Sequence, residues 1–341
     1  MFSDEDSRPG SLLLRLPGYL LRGLGAVVLL VFAGWSELAI LLNSPLESGA
    51  RVGVATLVAA VFLAGSMSVL AKVLRRLVLP LVVVTAVGVI AWWSSIQPSD
   101  TRNWRPDVAR KPLVTIKGDD LELRNVRVFN WTGPESAQVA WQDRIYNLSD
   151  LSGVDLFLSD WGNPKAVHMI TSFTFSAGPP VAFSVEVRRK LGQEYSPIAG
   201  LFKQNELVLV VADESDVIKV RTNRRDERVF RYPIDVKPEN AAKLLREYAR
   251  LSQDLNTTPQ WYHTIWTNCA TTVYWMLRHI APDDFPLDWR VLVAPYLPDY
   301  LYDRGFLNTK VPLQELKRRA EITAAARAAD GEQDFSAAIR K

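Results

Sequence analysis

Residues 266–280 read WTNCATTVYWMLRHI, and this stretch contains Cys269, the single cysteine of the chain. Thr267 or Asn268 can cap a helix here, since both side chains accept hydrogen bonds from the amides of a first helical turn. The residues that follow predict a helix that begins near Cys269 and runs through Ile280. A thiol at a helix N-terminus lies beside free amides and the positive end of the helix dipole, which lower the pKa of a cysteine.

A lone cysteine excludes an internal disulfide framework and any zinc or iron–sulfur site that needs several thiolates. The three histidines of the chain leave little for a histidine-rich metal site, so we expect no metal and no cofactor. The plain alternative is a buried, inert thiol. We favour a nucleophilic cysteine, because the compartment argued below is oxidising and an unpaired thiol is a liability there.

A nucleophilic cysteine requires a base. His168 lies in a strand-like segment after the turn WGNPK, and His263 lies in PQWYHTIW, just before the cysteine helix. His279 lies nearly three turns beyond Cys269 on the same helix and cannot reach the thiol. We predict His168 as the base and keep His263 in reserve, with a satisfied core histidine as the alternative. Glu186, the only acid in the strand-like segment VAFSVEVRRK, is predicted to orient the His168 ring.

The order of these residues along the chain is histidine, acid, cysteine. In papain-like folds the cysteine helix usually comes first. The order here suggests a circularly permuted papain-like domain, which keeps the geometry of the site and changes the chain order.

Three apolar runs occupy the first hundred residues, and each is close to the ~20 residues that span a hydrocarbon core: Gly23–Leu42, Gly53–Ala71 and Leu77–Ile96. We interpret residues 1–96 as an anchor of three transmembrane helices, because no small-residue cleavage site for a signal peptide follows the first run. Basic residues precede the first run and separate the last two, whereas the other loop contains only Arg51. This pattern predicts a bacterial inner-membrane protein with a cytoplasmic N-terminus and a periplasmic domain.

The remainder of the chain is long enough for a full hydrophobic core. We predict a linker over residues 97–112, a catalytic domain over 113–310, and a polar C-terminal helix or tail over 311–341. An amphipathic helix is predicted over residues 238–253. With the strands, this makes the fold class α+β. The predicted strands are Leu113–Ile116, Leu121–Phe129, Ala140–Leu148, Val154–Leu158, Ala166–Phe175, Val181–Arg188, Leu207–Ala212, Val217–Thr222 and Arg228–Ile234.

Three stretches resemble a known family: WGNPKAVHMITSFTF, the segment from FSVEVRRK to VRTNRR, and YHTIWTNCATTV. Over residues 155–280 the chain is similar to the Lnb N-terminal periplasmic domain family. Members of that family from Bacteroidetes are lipoprotein N-acyltransferases. The resemblance places Cys269 and His168 on the cysteine and histidine of the family and implies an acyl-enzyme formed on the thiol.

The activity that this resemblance implies is a membrane-anchored thiol acyltransferase. It would move an acyl chain from a membrane phospholipid, through a thioester on Cys269, to the N-terminal amine of a lipoprotein. The Cys269 amide, with Asn268, would hold the oxyanion. A clamp formed from Arg221, Arg224, Arg225 and Arg228 would hold lipid phosphate, and a solvated basic face is the alternative for these four arginines. The residues assigned to substrate binding are Arg221, Arg224, Tyr195 and His263.

Two other classes of function remain open. A papain-like cysteine amidase or peptidase acting on peptidoglycan would use the same Cys269 and His168 in a deep polar cleft. A non-enzymatic module of an envelope complex would keep these two side chains apart, without a shared pocket. Nucleic acid is a poor candidate partner, because the net charge is only +3 and no long basic stripe lies outside Arg221–Arg231.

Overall fold

The computed structural model describes residues 9–162 and 167–341, with the backbone alone over residues 9–17. The chain divides into two compact units. The first unit contains the chain up to Gln97 together with Phe202–Gln204. The second unit contains Pro98–Leu201 and Asn205–Lys341.

The first unit is helical. Its three helices have lengths and compositions suited to crossing a membrane, with candidate spans at Gly18–Asn43, Ser48–Ala71 and Arg75–Ser95. The three apolar runs predicted from the sequence correspond to these spans, each with ends a few residues away. The helices are α1 (Pro9–Asn43), α2 (Ser48–Ala71) and α3 (Arg75–Ser95).

The second unit is built around an eight-stranded sheet. Its strands are β1 (Leu113–Lys117), β2 (Asp120–Arg127), β5 (Trp141–Asn147), β6 (Leu151–Asp160), β7 (His168–Phe175), β8 (Val181–Arg188), β9 (Glu206–Asp213) and β10 (Arg228–Ile234). The order is β1-β2-β9-β8-β7-β6-β10, and β5 also pairs with β2. A separate hairpin contains β3 (Asn130–Trp131) and β4 (Ala137–Gln138). All pairings are antiparallel except the parallel contact of β2 with β9.

Helices cover both faces of this sheet, which confirms the predicted α+β class. They are α4 (Pro197–Leu201), α5 (Glu214–Val217), α6 (Pro238–Thr257), α7 (Cys269–Ile280), α8 (Leu297–Asp303), α9 (Leu313–Ala320), α10 (Thr323–Ala328) and α11 (Phe335–Ala338). Side chains alternate along each strand, so that odd-numbered residues of β7 and β8 such as Phe173 and Phe183 pack under α6, α7 and α8. Even-numbered residues such as Ile170 and Ala182 pack under α5, α10 and α11. We call these the α6–α8 face and the C-terminal face.

The segment Val217–Thr222, which we predicted as a strand, is helical, so that prediction is wrong. α5 ends at Val217, and a turn of π-helix spans Val220–Arg224. Asp216 in α5 accepts two hydrogen bonds from the buried guanidinium of Arg127, and two more from a backbone amide and an indole. This buried carboxylate ties the turn to β2, and the β-branched run follows that tertiary contact rather than its strand propensity.

The segment predicted as a linker is packed on the second unit from Pro98 onward. Buried Arg188 of β8 donates hydrogen bonds to the carbonyls of Val108 and Ala109 and to the Asp100 carboxylate. The charge on Arg188 needs partners once it is buried, and this segment supplies them.

The segment predicted as a polar helix or tail, residues 311–341, forms α9, α10 and α11. Near the end of the chain, Arg340 forms ion pairs with the buried carboxylates of Asp155 and Glu214. Arg340, a basic residue of this polar segment, therefore neutralises two carboxylates that are buried on the C-terminal face.

Candidate active site

Strands β7 and β8 diverge at one end, and the candidate site lies there. Their ladder pairs only Thr171–Phe173 with Val181–Phe183, whereas β8 pairs with β9 along its whole length. The N-terminus of α7 meets the sheet at this divergence, where the Met169 backbone lies close enough to the Cys269 thiol to lower its pKa. The gap between the strands therefore gives a thiol from the α6–α8 face access to side chains on the other face.

A capping box holds the start of α7. The Asn268 carboxamide oxygen accepts hydrogen bonds from the Ala270 and Thr271 amides at 2.9 Å each, and the Thr271 hydroxyl accepts from the Asn268 amide. The Asn268 side-chain amide donates to the Thr264 carbonyl at 2.7 Å. The Cys269 amide has no acceptor in range among the described residues. Of the two oxyanion donors predicted, Asn268 is committed to the cap and supports the helix, and the Cys269 amide remains available.

His168 and Glu186 lie on the same face of the diverging strands. The His168 Nε2 atom is 2.7 Å from the Ser184 hydroxyl and 3.1 Å from a carboxylate oxygen of Glu186. Ser184 donates to the same oxygen at 2.8 Å, and Arg221 donates to it at 3.0 Å. With Nε2 engaged in this way, Nδ1 is the ring nitrogen left for the thiol. The structure thus brings the three residues predicted as catalytic together, in the order thiol, imidazole, carboxylate.

The electrostatics of these groups favour an ion pair. Burial alone would raise the pKa of Cys269, but the charge of His168, a hydrogen bond with its ring and the Met169 amide lower the pKa. Burial opposes the charge on His168 too, yet Glu186 and Cys269 raise the pKa of the imidazole to about 9. Despite its own burial, Glu186 has a pKa well below the usual range because His168 and Arg221 are cationic neighbours. These neighbours therefore favour the thiolate and imidazolium pair over the neutral thiol and imidazole.

A cavity of about 500 Å³ opens over the thiol, and we call it the site cavity. Its size is within the range of small-molecule sites. Cys269, His168 and Glu186 line it together with aromatic and basic side chains. The additional lining residues used below are Tyr195, Tyr262, Arg189, Arg221 and Arg225.

The structure separates the arginines that we considered for the phosphate clamp. Arg221 lines the site cavity but is held by Glu186 and by the Val217 carbonyl. Arg224 lies outside the lining and pairs with Asp330. Both guanidinium groups are paired with protein carboxylates, which makes them weaker candidates for binding a phosphate.

Of the other two predicted substrate-binding residues, Tyr195 lines the site cavity and His263 does not. Tyr195 is 45% exposed and lines the site cavity, where the charge of Cys269 contributes, after burial, to raising its pKa. His263 does not line the cavity, and its Nδ1 accepts hydrogen bonds from the Ile265 and Trp266 amides. Burial lowers the pKa of His263, so it is a neutral ring that shapes the loop before α7 and is no base for Cys269.

Three site residues, Ser184, Tyr262 and Arg189, were missed by the sequence reasoning, and a fourth, Arg225, was considered for the phosphate clamp but not assigned to substrate binding. Ser184 lies two residues before Glu186 on β8, and this spacing places both on one face of a strand, a signal that was available. Tyr262 borders the thiol from the segment before α7. Arg189 and Arg225 line the cavity without a carboxylate in ion-pair range among the described residues. Their convergence depends on the packing of distant segments, for which the sequence carries no local signal.

Comparison with known proteins gives one match. The model of the Lnb N-terminal periplasmic domain family matches residues 137–294, a range that includes β5 to β10, α6, α7 and every residue of the proposed triad. No curated protein and no solved structure matches the chain. The resemblance seen in the sequence is confirmed by this match over residues 137–294, in a chain whose described part also has three helices suited to crossing a membrane.

Proposed function

We propose that this protein is a membrane-anchored cysteine acyltransferase, which takes an acyl chain from a phospholipid and transfers it to the N-terminal amine of a lipoprotein. The observation that carries the proposal is the pairing of Cys269, at the capped start of α7, with His168 in one cavity. A thiolate is the nucleophilic form of cysteine, and this environment favours it.

In the first half-reaction the Cys269 thiolate attacks the ester carbonyl carbon of the phospholipid. The Cys269 amide donates to the oxyanion that forms, a kind of contact that contributes ~10²–10³ in rate. The bond between the carbonyl carbon and the ester oxygen then breaks. The His168 imidazolium gives its proton to the departing alkoxide, leaving a thioester, a lysophospholipid and a neutral imidazole.

In the second half-reaction an amine attacks the thioester carbonyl. Neutral His168 takes a proton from that amine, the carbon–sulfur bond breaks, and the thiolate is restored beside an imidazolium. Glu186 keeps the ring oriented and stabilises its charge, and Ser184 and Arg221 keep Glu186 in place. The products are an N-acylated lipoprotein and the starting enzyme, and the chemistry uses protein groups only.

The donor is proposed to carry phosphate because of Arg225. Burial and the neighbouring charge of Arg221 lower the pKa of Arg225 to about 10. An anion next to this guanidinium would relieve both effects, and Arg189 lines the same cavity. The proposed clamp therefore keeps Arg225 from the arginines considered in the sequence, adds Arg189, and leaves out Arg221 and Arg224.

The fold and placement that accompany this function are also proposals. A cysteine helix packed against a histidine strand, with the cysteine last in the chain, fits a circularly permuted papain-like domain. The basic residues around the first and third apolar helices favour an inner-membrane anchor with a cytoplasmic N-terminus. The domain would then act in the periplasm, beside both lipid substrates, at a high effective concentration.

The amidase alternative is supported by the polar part of the site cavity, since Arg189 and Arg225 also suit the carboxylates of a peptidoglycan peptide. A non-enzymatic module is not favoured, because Cys269 and His168 interact within a shared cavity.

The test is mass spectrometry of lipoprotein N-termini from a deletion strain complemented with the wild-type gene, Cys269→Ala or Cys269→Ser. We expect triacylated N-termini with the wild-type gene only, because neither alanine nor serine has the thiol that forms the thioester. Equal N-acylation in all strains would contradict acyl transfer. A change in peptidoglycan stem peptides with unchanged lipoproteins would favour the amidase.

A further inference from the structure

A second cavity, of about 230 Å³, lies on the α6–α8 face, between the sheet and the helices. Its lining includes Ala270, the residue after Cys269, and Met169, whose backbone lowers the pKa of the Cys269 thiol. The site cavity shares Ala270 with it. One end of this apolar cavity therefore lies at the start of α7, one residue from Cys269.

The apolar cavity offers few hydrogen-bonding groups to a water molecule. Its hydroxyl groups are committed elsewhere: Thr171 accepts from Tyr248, and Tyr274 and Tyr300 donate to the Pro286 carbonyl. Among the described residues, the buried side-chain polar atoms without a partner belong to Glu206, Arg231 and Thr272, and none of these lines the cavity. A buried water needs two to four polar partners, and an engineered apolar cavity of ~150 Å³ stays dry and binds benzene.

The cavity is long as well as apolar. It follows α7 from Ala270 to Ile280, ten steps along the helix that span about 15 Å at 1.5 Å per residue. One acyl chain occupies half of a hydrocarbon core that is ~30 Å thick, which is ~15 Å. The polar lining residues at the other end, Asn240, Lys243 and Asp284, are exposed. The cavity therefore matches an extended chain in both length and chemistry.

We infer that this cavity holds the acyl chain while its carbonyl is bonded to Cys269, with the methyl end toward Asn240 and Lys243. The inference rests on the proposed function, because the occupant is the chain carried by the thioester. In the attacking geometry the carbonyl lies at the start of α7, beside the Cys269 amide. The chain then runs along the α7 side chains Val273 and Leu277, and the depth of the cavity selects its length.

The test measures acylation of Cys269 by intact-protein mass spectrometry, using the full chain in digitonin and p-nitrophenyl esters of two to fourteen carbons. In the wild type, the rate is expected to rise with each added methylene, by up to about fourfold. Val273→Trp fills the cavity one turn beyond the thiol, so the rise should stop at short chains. Leu277→Trp fills it two turns beyond, so the rise should stop at longer ones. Leu287→Trp, at a position that is 74% exposed and lines neither cavity, should keep the wild-type profile.

The possible results distinguish a failure of this inference from a failure of the proposed function. Acylation by every ester with the same chain-length profile in all variants would overturn the acyl cavity and leave the thiol chemistry intact. The absence of acylation by any ester would contradict the proposed function. In that case a methyl dodecanoate with a terminal diazirine, photolysed with Cys269→Ala, still tests the cavity. Labels on residues 238–257 and 269–301 would support it, and labels elsewhere would overturn it.

Discussion

The two faces of the sheet in the second unit are buried by different means. The α6–α8 face is packed with leucine, valine and aromatic side chains, and it contains the apolar cavity. The C-terminal face has a smaller apolar core beside buried ion pairs, among them Arg127–Asp216 and Arg340–Glu214. One face is stabilised mainly by filled volume, and the other depends on charges that have partners.

The difference explains where the candidate site lies. Cys269 comes from a helix of the apolar face, and His168 and Glu186 belong to the face with ion pairs. They meet where β7 and β8 stop pairing, so the thiol has an apolar cavity on one side and a set of oriented charges on the other. A thioester needs both environments, one for the acyl chain and one for proton transfer.

The largest expected effect tests what stabilises each face of the sheet, with one substitution on each face. Asp216→Asn keeps the volume of the side chain but leaves the buried Arg127 without a carboxylate, which costs ~3–5 kcal/mol of unfolding free energy. Leu245→Met, on the apolar face, also keeps the volume and should cost less than ~1.5 kcal/mol. Thermal unfolding of the full chain measures both, at ~2–4 °C of midpoint per kcal/mol.

A control for this pair is Glu321→Gln, which breaks an exposed ion pair with Arg228 and should cost no more than ~1 kcal/mol. Equal losses from Asp216→Asn and Leu245→Met would show that the two faces do not differ in what stabilises them.

The second effect concerns Arg225, which lines the site cavity. Arg225→Gln should raise the KM for phospholipid by about 10- to 100-fold, because a hydrogen bond to a charged group contributes ~1.5–3 kcal/mol. Turnover of a neutral p-nitrophenyl ester should not change. Kinetics of Cys269 acylation with both donors measure the difference.

Arg224→Gln is the matched control, since Arg224 is the neighbour of Arg225 in the chain but pairs with Asp330 and does not line the site cavity. It should leave both KM values unchanged. A larger effect from Arg224 than from Arg225 would favour the clamp predicted from the sequence over the one that the structure indicates.

The smallest effect is a shift in pH dependence. Acyl transfer requires the His168 imidazolium as the acid, so the rate should fall as pH rises through about 9, the pKa of His168. Glu186 raises that pKa, so Glu186→Gln should move the alkaline limb to lower pH by ~1 unit or more. A pH profile of acyl transfer from a phospholipid measures the limb, because its alkoxide leaving group needs the proton whereas p-nitrophenolate does not.

Glu135→Gln serves as the control, because Glu135 is an exposed carboxylate that pairs with Arg105. Its profile should match the wild type. An alkaline limb that stays in place with Glu186→Gln would show that the carboxylate does not control the charge of His168.

Local patterns were sufficient for much of this molecule. The apolar runs predicted the three helices of the first unit, since length and hydropathy are properties of a segment. The alternation of apolar residues predicted β7 and β8, and the residues before Cys269 predicted a capped helix. The same patterns failed at Val217–Thr222, where the buried carboxylate of Asp216, the residue directly before the segment, outweighs β-propensity.

The sequence by itself determined the membrane-spanning character of the N-terminal helices, the capped helix that begins at Cys269, and the strands that present His168 and Glu186. Each depends on residues within a few positions of one another. Only the tertiary structure decided which arginine enters the site cavity, that Ser184 joins the imidazole to the carboxylate, and that an apolar cavity lies behind the thiol. These features depend on the divergence of two strands and on the packing of segments far apart in the chain, and side-chain periodicity carries no information about either.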